Sequence, residues 1–381
     1  MGSVGLHPLD EPRLAALRRP GPSLHRRPPD GGATDRRQRP AHLRRRYVGR
    51  PSRAPRRDWI RGADDRAGLV QRQRREPPVS DGAPRLKPVR YGVIPAGGLG
   101  TRFLPISRTV PKELLPIIDT PVIELVVAEM AAAGISRVVI VNAPGKESLD
   151  AYFRPNERLE RRLSVEFRKE DIDLLKRPER LATVRVVVQQ EAKGNGHAVL
   201  QARPLVGSEP FAMLWGDDIV IGDTPAVGQL IEARQRLGGG SVVGTIRVSK
   251  EKAASYGVVA GTPVDERTQR VLAIVEKPKP ADAPSEYAAV HGYVLEPEVF
   301  EILARAKPGR NGEIWLTDAV SELAREGAPV WAVELQGIRY DTGDKLGYVK
   351  AFIDAALRRE DVAPQLRAYL KELGWRAPGE R

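Results

Sequence analysis

The chain has 381 residues, enough for a large core, and carries 62 Lys and Arg against 49 Asp and Glu, a net charge of +13. It has no cysteine, which excludes disulfides and thiolate metal sites and suits the cytosol. No apolar run is long enough to span a bilayer and the first residues carry no apolar signal core, so neither a membrane protein nor a secreted one is expected.

The charge is unevenly placed. Residues 1–90 hold 22 Arg and 1 Lys against 9 acidic residues, while the remainder holds 39 basic and 40 acidic residues and is nearly neutral. A nucleic-acid partner is therefore not expected for the body of the protein. Residues 1–88 are rich in Arg, Pro and Gly and lack a periodic apolar pattern, so they read as a disordered extension, and residues 89–381 as the folded domain. Three readings of the extension stay open. It is an RNA- or membrane-surface tail, with Arg44, Arg45 and Arg46 attracting phosphate; or a targeting peptide, against which nine acidic residues count; or an upstream reading frame translated from an early start. The Arg:Lys ratio of 22:1, against 26:13 in the rest, favours the last.

Tyr91 to Pro95 reads as a short buried strand, followed at once by Gly97, Gly98 and Gly100, with Ala96 and Thr101 on the same loop and Arg102 and Lys112 adding two cations. Glycines let backbone N–H groups approach a ligand closely, and N–H groups together with cations make a polyphosphate site. Two familiar phosphate motifs are absent. No Gly-Lys-Ser/Thr follows the loop, and Gly98-Leu99-Gly100 is followed by Thr101, Arg102 and Phe103, without the third glycine of a dinucleotide fingerprint.

Thr120 is expected to N-cap a helix from Pro121 to near Gly134, with Val122, Leu125, Val126 and Met130 on its apolar face and Glu129 among them. Arg137 to Val141 is the second strand, Lys146 to Phe153 a short helix, and Asn156 to Arg180 a charged, helix-prone excursion. Val184 to Val188 is the third strand, placed centrally in a parallel sheet on its apolar character. Phe211 to Leu214 is the fourth, and Pro225 to Leu237 a helix stopped by Gly238, Gly239 and Gly240. This alternation predicts an α/β fold: a single mixed, mostly parallel sheet with helices on both faces, and ligands beyond the carboxyl ends of its strands. The glycine loop, Gln189–His197 and Trp215–Asp218 then share one edge. Later pieces are antiparallel, Tyr256 to Ala260 and Val271 to Val275, with a further strand at Tyr287 to Leu295. Helices follow at Pro297 to Ala306, Thr317 to Glu326, Leu346 to Leu357 and Ala363 to Leu373; the last two pack on their own domain or form a subunit contact.

Asp217 and Asp218 end the fourth strand, where a carboxylate can hold Mg²⁺ or merely cap a turn. Asp341, in R-Y-D-T-G, is open to the same two readings. Glu276 and Lys277 at a strand end suit a hydroxyl and a phosphate, or form a solvated strand end. His197 reads as a helix-start residue that touches no ligand.

From Gly97 to Pro116 the chain spells G-G-x-G-T-R…P-K-E-x-L-P, which resembles the signature of the sugar-nucleotide pyrophosphorylases, nucleotidyltransferases that join a nucleoside triphosphate to a sugar 1-phosphate. Gln189–His197 resembles Q-x-x-A-K-G-x-G-H, with Asn195 where Leu is usual. Tyr256-Gly257-Val258, Glu276-Lys277-Pro278 and His291-Gly292-Tyr293 resemble sugar-side stretches, and Gly312–Asp318 resembles G-E-I-Q-L-T-D with Trp315 in place of a polar residue. The resemblance runs from about Tyr91 to about Leu373 and leaves the first 90 residues unmatched.

That resemblance implies a Rossmann-like, GT-A-like nucleotidyltransferase fold, and its K-G-x-G-H form points to the uridylyl branch. The implied reaction joins UTP to glucose 1-phosphate with Mg²⁺, giving UDP-glucose and pyrophosphate. Asp217 and Asp341 are the implied Mg²⁺ ligands. Gln189 and the backbone at Gly194 meet the base, and Ala96, Gly97, Gly98, Gly100 and Thr101 the triphosphate. Arg102 and Lys112 meet the leaving pyrophosphate, Lys277 the sugar phosphate, and Gly257 and Glu276 the sugar. A cytoplasmic homo-oligomer, dimer or tetramer, is implied as well. Two alternatives keep the fold: thymidylyl transfer, towards which Trp215-Gly216 leans, and uridylyl transfer to another sugar 1-phosphate. A GT-A-type glycosyltransferase would carry D-x-D, a spacing that Asp217-Asp218-Ile219 lacks.

Overall fold

Tyr91–Pro95 (β1) alternates its side chains between two apolar layers, Ile94 into one and Val93 into the other, both fully buried. Arg137–Asn142 (β4) does the same with Ile140 and Val139, and Phe211–Leu214 (β6) with Leu214 and Met213. A strand buried on both faces has to be covered on both sides, which fixes a three-layer α/β architecture. A computed structural model of the protein describes residues 86–309 and 312–375. All but the last three residues of the expected disordered extension lie outside the described residues.

The other strands are Pro116–Ile117 (β2), Thr120–Pro121 (β3), Thr183–Val188 (β5), Asp218–Ile221 (β7), Ser241–Arg247 (β8), Gly257–Pro263 (β9), Thr268–Glu276 (β10), Tyr287–Leu295 (β11), Val330–Glu334 (β12) and Ile338–Asp341 (β13). Nine form one mixed sheet in the order β5-β4-β1-β6-β11-β8-β12-β10-β9. The run β5-β4-β1-β6 is parallel, so Val188, Asn142, Pro95 and Leu214 all end at the same edge. Beyond β6 the sheet turns antiparallel through β11. Two small ladders stand apart from it, β2 with β3 and β7 with β13.

One face carries the helices Val122–Ala132 and Ala226–Arg236, with Val126, Met130, Val227 and Leu230 against Ile94 and Leu214. The other carries Asn195–Gln201, Val299–Arg305 and Leu316–Arg325, where Phe300 stacks on Phe211 at 4.8 Å. Among the described residues no helix is long and apolar enough to cross a membrane.

Two local expectations are corrected. Thr120 does not cap the first helix: it lies in β3, its hydroxyl donates to Asp119, and Pro121 holds the cap position. The strand β5 is the edge of the sheet and not its centre. Its residues are half-buried or exposed, because the charged excursion, folded as Glu157–Val165, Lys169–Leu175 and Arg177–Leu181, only partly covers it.

Candidate active site

The glycine loop leaves β1 tied to its neighbour strand. The Ala96 N–H donates to the Val141 carbonyl at 2.7 Å, and Gly100 turns through φ 66°, a conformation that favours glycine, into the short turn Thr101–Phe103. Arg102 stands exposed on that turn. A Cβ added at Gly98 would lie 3.8 Å from Lys112 Nζ, and one at Gly97 3.4 Å from Gln189 Oε1. The loop therefore passes between a cation and an amide, each within contact distance of a side-chain atom placed there.

Lys112 follows Pro111 into a turn of its own, Lys112–Leu114, and its Nζ donates to Asp217 Oδ2. Burial alone would pull the Lys112 ammonium down, but Asp217, Glu113 and Asp341 hold its pKa above the usual lysine value. The next residue, Glu113, is 1% exposed and accepts from Lys146 Nζ at both carboxylate oxygens, 3.1 and 3.0 Å. Lys146 also donates to the Ala96 carbonyl at 2.6 Å. One ammonium thus ties the Pro111-Lys112-Glu113 turn to the start of the glycine loop. Sequence reasoning missed Lys146, which carries no motif; its only signal is a lysine just past a parallel strand end.

Asp217, in the turn between β6 and β7, and Asp341, at the end of β13, are more than a hundred residues apart, and the β7–β13 ladder brings them together by pairing Asp341 with Asp218. The Asp217 carbonyl then accepts from the Thr342 N–H at 2.8 Å and from its hydroxyl at 2.7 Å. A Cβ added at Gly343 would overlap Asp217 Oδ2 and lie 3.1 Å from Asp341 Oδ1, so both carboxylates converge on one point. Two half-buried carboxylates with only oxygen donors suit a hard cation that completes its shell from phosphate and water. Among the described residues no group of three or more acidic or histidine side chains gathers as a fuller metal cage.

Asp218 is turned away from this point. It is 3% exposed and receives Arg339 Nε at 2.9 and 2.8 Å and the His291 N–H at 3.1 Å. Burial pushes the Asp218 carboxyl up, and Arg339 and His291 pull against that. Arg339 also donates to the Tyr256 hydroxyl at 3.2 Å, which links the aspartate ladder to the Tyr256-Gly257 turn. His291 does not face that turn: its ring is fully buried with Nε2 2.8 Å from Glu129 Oε1, and Gly292 packs on the Met213 carbonyl, where a Cβ would overlap.

Gln189 directly follows β5 and is anchored by its N–H to the Asn142 carbonyl at 2.8 Å. Its Nε2 lies 3.3 Å from the Gly194 carbonyl and 2.8 Å from His197 Nδ1. His197, expected as a helix-start residue that touches no ligand, does lie in the first turn of Asn195–Gln201 and is also a partner of Gln189. The loop Lys193–Gly196 is seamed to the later chain: Ile314 N–H donates to Lys193 O at 2.8 Å, Gly196 N–H to Ile314 O at 2.9 Å, and Leu316 N–H to Asn195 Oδ1 at 2.8 Å. Asn195, which departs from the usual leucine, makes the side-chain bond of that seam.

Gly257 pairs with Glu276 in the β9–β10 ladder, and a Cβ at Gly257 would lie 3.0 Å from Thr317 Cγ2 and 3.1 Å from Glu276 Oε2. Thr317 donates to Glu276 Oε2 at 3.1 Å. Lys277 takes φ 46°, with its N–H on the Tyr256 carbonyl at 2.9 Å and its Nζ 4.9 Å from the centre of the Trp315 ring. The structure thus gathers the glycine loop, Lys112, Gln189, Asp217 and Asp341 at one strand edge, with Lys112 bonded to Asp217, and links Gly257, Glu276 and Lys277 to them through Arg339 and the Ile314–Leu316 seam.

Residues 91–358 match the model of the nucleotidyl transferase family. The chain belongs to that family. Its similarity to the UTP–glucose-1-phosphate uridylyltransferase 2 of Staphylococcus saprophyticus is 41% identity over 288 residues, 76% of this chain and 99% of that protein. The UTP–glucose-1-phosphate uridylyltransferase of Staphylococcus haemolyticus is 39% identical over 76% of this chain and its own full length. Among solved structures, a UTP-bound UGPase from Acinetobacter baumannii superposes with a TM-score of 0.67 at 31% identity, covering 75% of this chain and 99% of that one. A UDP-glucose pyrophosphorylase complexed with UDP-glucose gives 0.63 at 37% identity, covering 71% and 100%. The expected resemblance, fold class and enzyme class of this nucleotidyl transferase are borne out.

Proposed function

We propose that the chain transfers the uridylyl group of UTP to glucose 1-phosphate, forming UDP-glucose and pyrophosphate. The convergence of Lys112, Asp217 and Asp341 beside the glycine loop carries the reading, because it gathers the charges that a polyphosphate and its counter-ion need at one strand edge. The relatives named for this reaction support the substrate pair, since they match over nearly their whole length.

A phosphate oxygen of glucose 1-phosphate attacks the α-phosphorus of UTP in line; the bond from that phosphorus to the bridging oxygen breaks, and pyrophosphate leaves. No protein nucleophile takes part, so positioning and charge do the work. The backbone from Ala96 to Thr101 cradles the triphosphate. Arg102 and Lys112 neutralise the leaving pyrophosphate, and Lys277, held at the Trp315 ring, orients the attacking phosphate. Gln189 and the Gly194 backbone receive the base, and Gly257 and Glu276 the glucose hydroxyls. Asp217 and Asp341 would hold Mg²⁺, which supplies neutralisation of the phosphate charge. The enzyme acts in the cytoplasm as a homo-oligomer, the self-association being supported by the exposed apolar residues Leu346, Val349, Ile353, Tyr369 and Leu373 on and just after its last two helices.

The test is pyrophosphate release by the full chain with Mg²⁺ and glucose 1-phosphate, comparing UTP with dTTP and using Asp217→Ala as control. Release with UTP, lost in the control, is expected. A preference for dTTP would overturn the uridylyl assignment, and no release with either nucleotide would overturn the sugar phosphate.

A further inference from the structure

We propose that His197 is a positioning residue that fixes which end of the Gln189 amide faces the nucleotide base, and thereby selects uracil over cytosine. The inference rests on the reading of Gln189 as the base-binding residue.

Gln189 is 7% exposed, so the end of its amide that turns into the protein needs partners there. One end lies 3.3 Å from the Gly194 carbonyl and 2.8 Å from His197 Nδ1. A carbonyl only accepts, so this end is the NH₂ group, and it has two protons for two acceptors. The imidazole must then offer a lone pair at Nδ1 and carry its proton on Nε2, where the Gln201 amide end 3.2 Å away has to present its oxygen as acceptor. Burial and the neighbouring Lys193 hold the His197 pKa below the usual value, which favours the neutral ring this arrangement needs.

The other end of the amide is the consequence. Its oxygen faces the glycine loop, 3.4 Å from where a Cβ on Gly97 would stand. The amide therefore shows the site an acceptor and has no donor left to offer. Uracil carries N3–H, a donor; cytosine carries a bare N3 in the same place, and two acceptors would face each other. Thymine shares the N3–H of uracil, so this device separates UTP from CTP and leaves dTTP to be rejected elsewhere. Without His197 the amide is held only by the longer Gly194 contact and can turn over.

The experiment measures kcat/KM for UTP and for CTP by pyrophosphate release, with the full chain, for the wild type, Gln189→Ala, His197→Phe, the double variant and His197→Asn. His197→Phe keeps the ring and removes the acceptor; His197→Ala takes its place should the former not fold, as read by thermal unfolding. The UTP:CTP ratio is expected to fall on the order of tenfold in Gln189→Ala and in His197→Phe, the scale of one buried polar group left unmatched. The double variant is expected to fall no further than either single one. His197→Asn, with an amide oxygen near the former Nδ1, recovers part of the ratio. A ratio unchanged in Gln189→Ala overturns the base-binding reading, and this inference with it. A ratio that falls in Gln189→Ala but stays at the wild-type value in His197→Phe overturns the role of His197 alone.

Discussion

Gly343 fills a gap that admits only a hydrogen. Its backbone lies where Asp217 and Asp341 converge, and a methyl group there would overlap Asp217 Oδ2. Gly343→Ala is expected to lower kcat by about 10²-fold, the effect of misplacing a reacting group by about an ångström. Its urea midpoint should change little, since the carboxylate can swing outward. Unchanged kcat would show that the two aspartates do not have to meet there. The role of Asp217 and Asp341 was open to sequence reasoning only through the resemblance, because Asp-Thr-Gly by itself is an ordinary turn. Residues that make no motif stayed hidden. Lys146, Arg339 and Asn195 act through contacts with partners 33 to 121 residues away, and no local pattern announces such partners.

At the scale of elements, the ladder of β7 and β13 decides whether the site exists. It is four residues on each side, too short to hold by backbone bonds alone, and the Asp218–Arg339 pair bolts it across the inside. Asp218 is 4% exposed at its side chain and Arg339 14%. Arg339→Met leaves that carboxylate buried without its cation and is expected to cost about 3–5 kcal/mol in urea unfolding. Asp218→Asn in the same chain should recover much of the loss, because the amide still accepts from the His291 N–H. A loss in the single variant below about 1 kcal/mol would show that the pair does not hold the ladder. Strands that read as apolar runs were legible. The reading of Tyr91–Pro95, Phe211–Leu214 and Tyr287–Leu295 matches residue for residue, since each is an apolar run bounded by turn residues. The ladder was not legible, because β7 begins on the second of two adjacent aspartates and so looks like the tail of a turn. The position of β5 was misjudged for a related reason: strand propensity reports a pleat that is partly covered, not a place in the sheet.

At the scale of the whole molecule the net charge misleads. The folded part from residue 91 is nearly neutral, and the excess of +13 resides in the first 90 residues. The full chain is therefore expected to be retained on heparin in low salt and to elute as salt rises, while residues 86–381 pass through unretained. Retention of the shorter chain would place a basic surface on the folded part after all. The relatives align over 288 to 290 residues of this chain and nearly all of their own, so the resemblance needs nothing from the N-terminal stretch.

The bonds that complete the site join distant parts of the chain. Asn195 holds Leu316 from 121 residues away, and Asp217 holds Thr342 from 125 residues away. The strands β1, β4, β5 and β6 leave the ribosome early and carry the glycine loop, Gln189 and Asp217 with them. Their ligand edge nevertheless stays unfinished until the last strand and the turn after it have been synthesised. During translation this enzyme has a sheet before it has a site, and it cannot engage its nucleotide until nearly all of the chain has emerged.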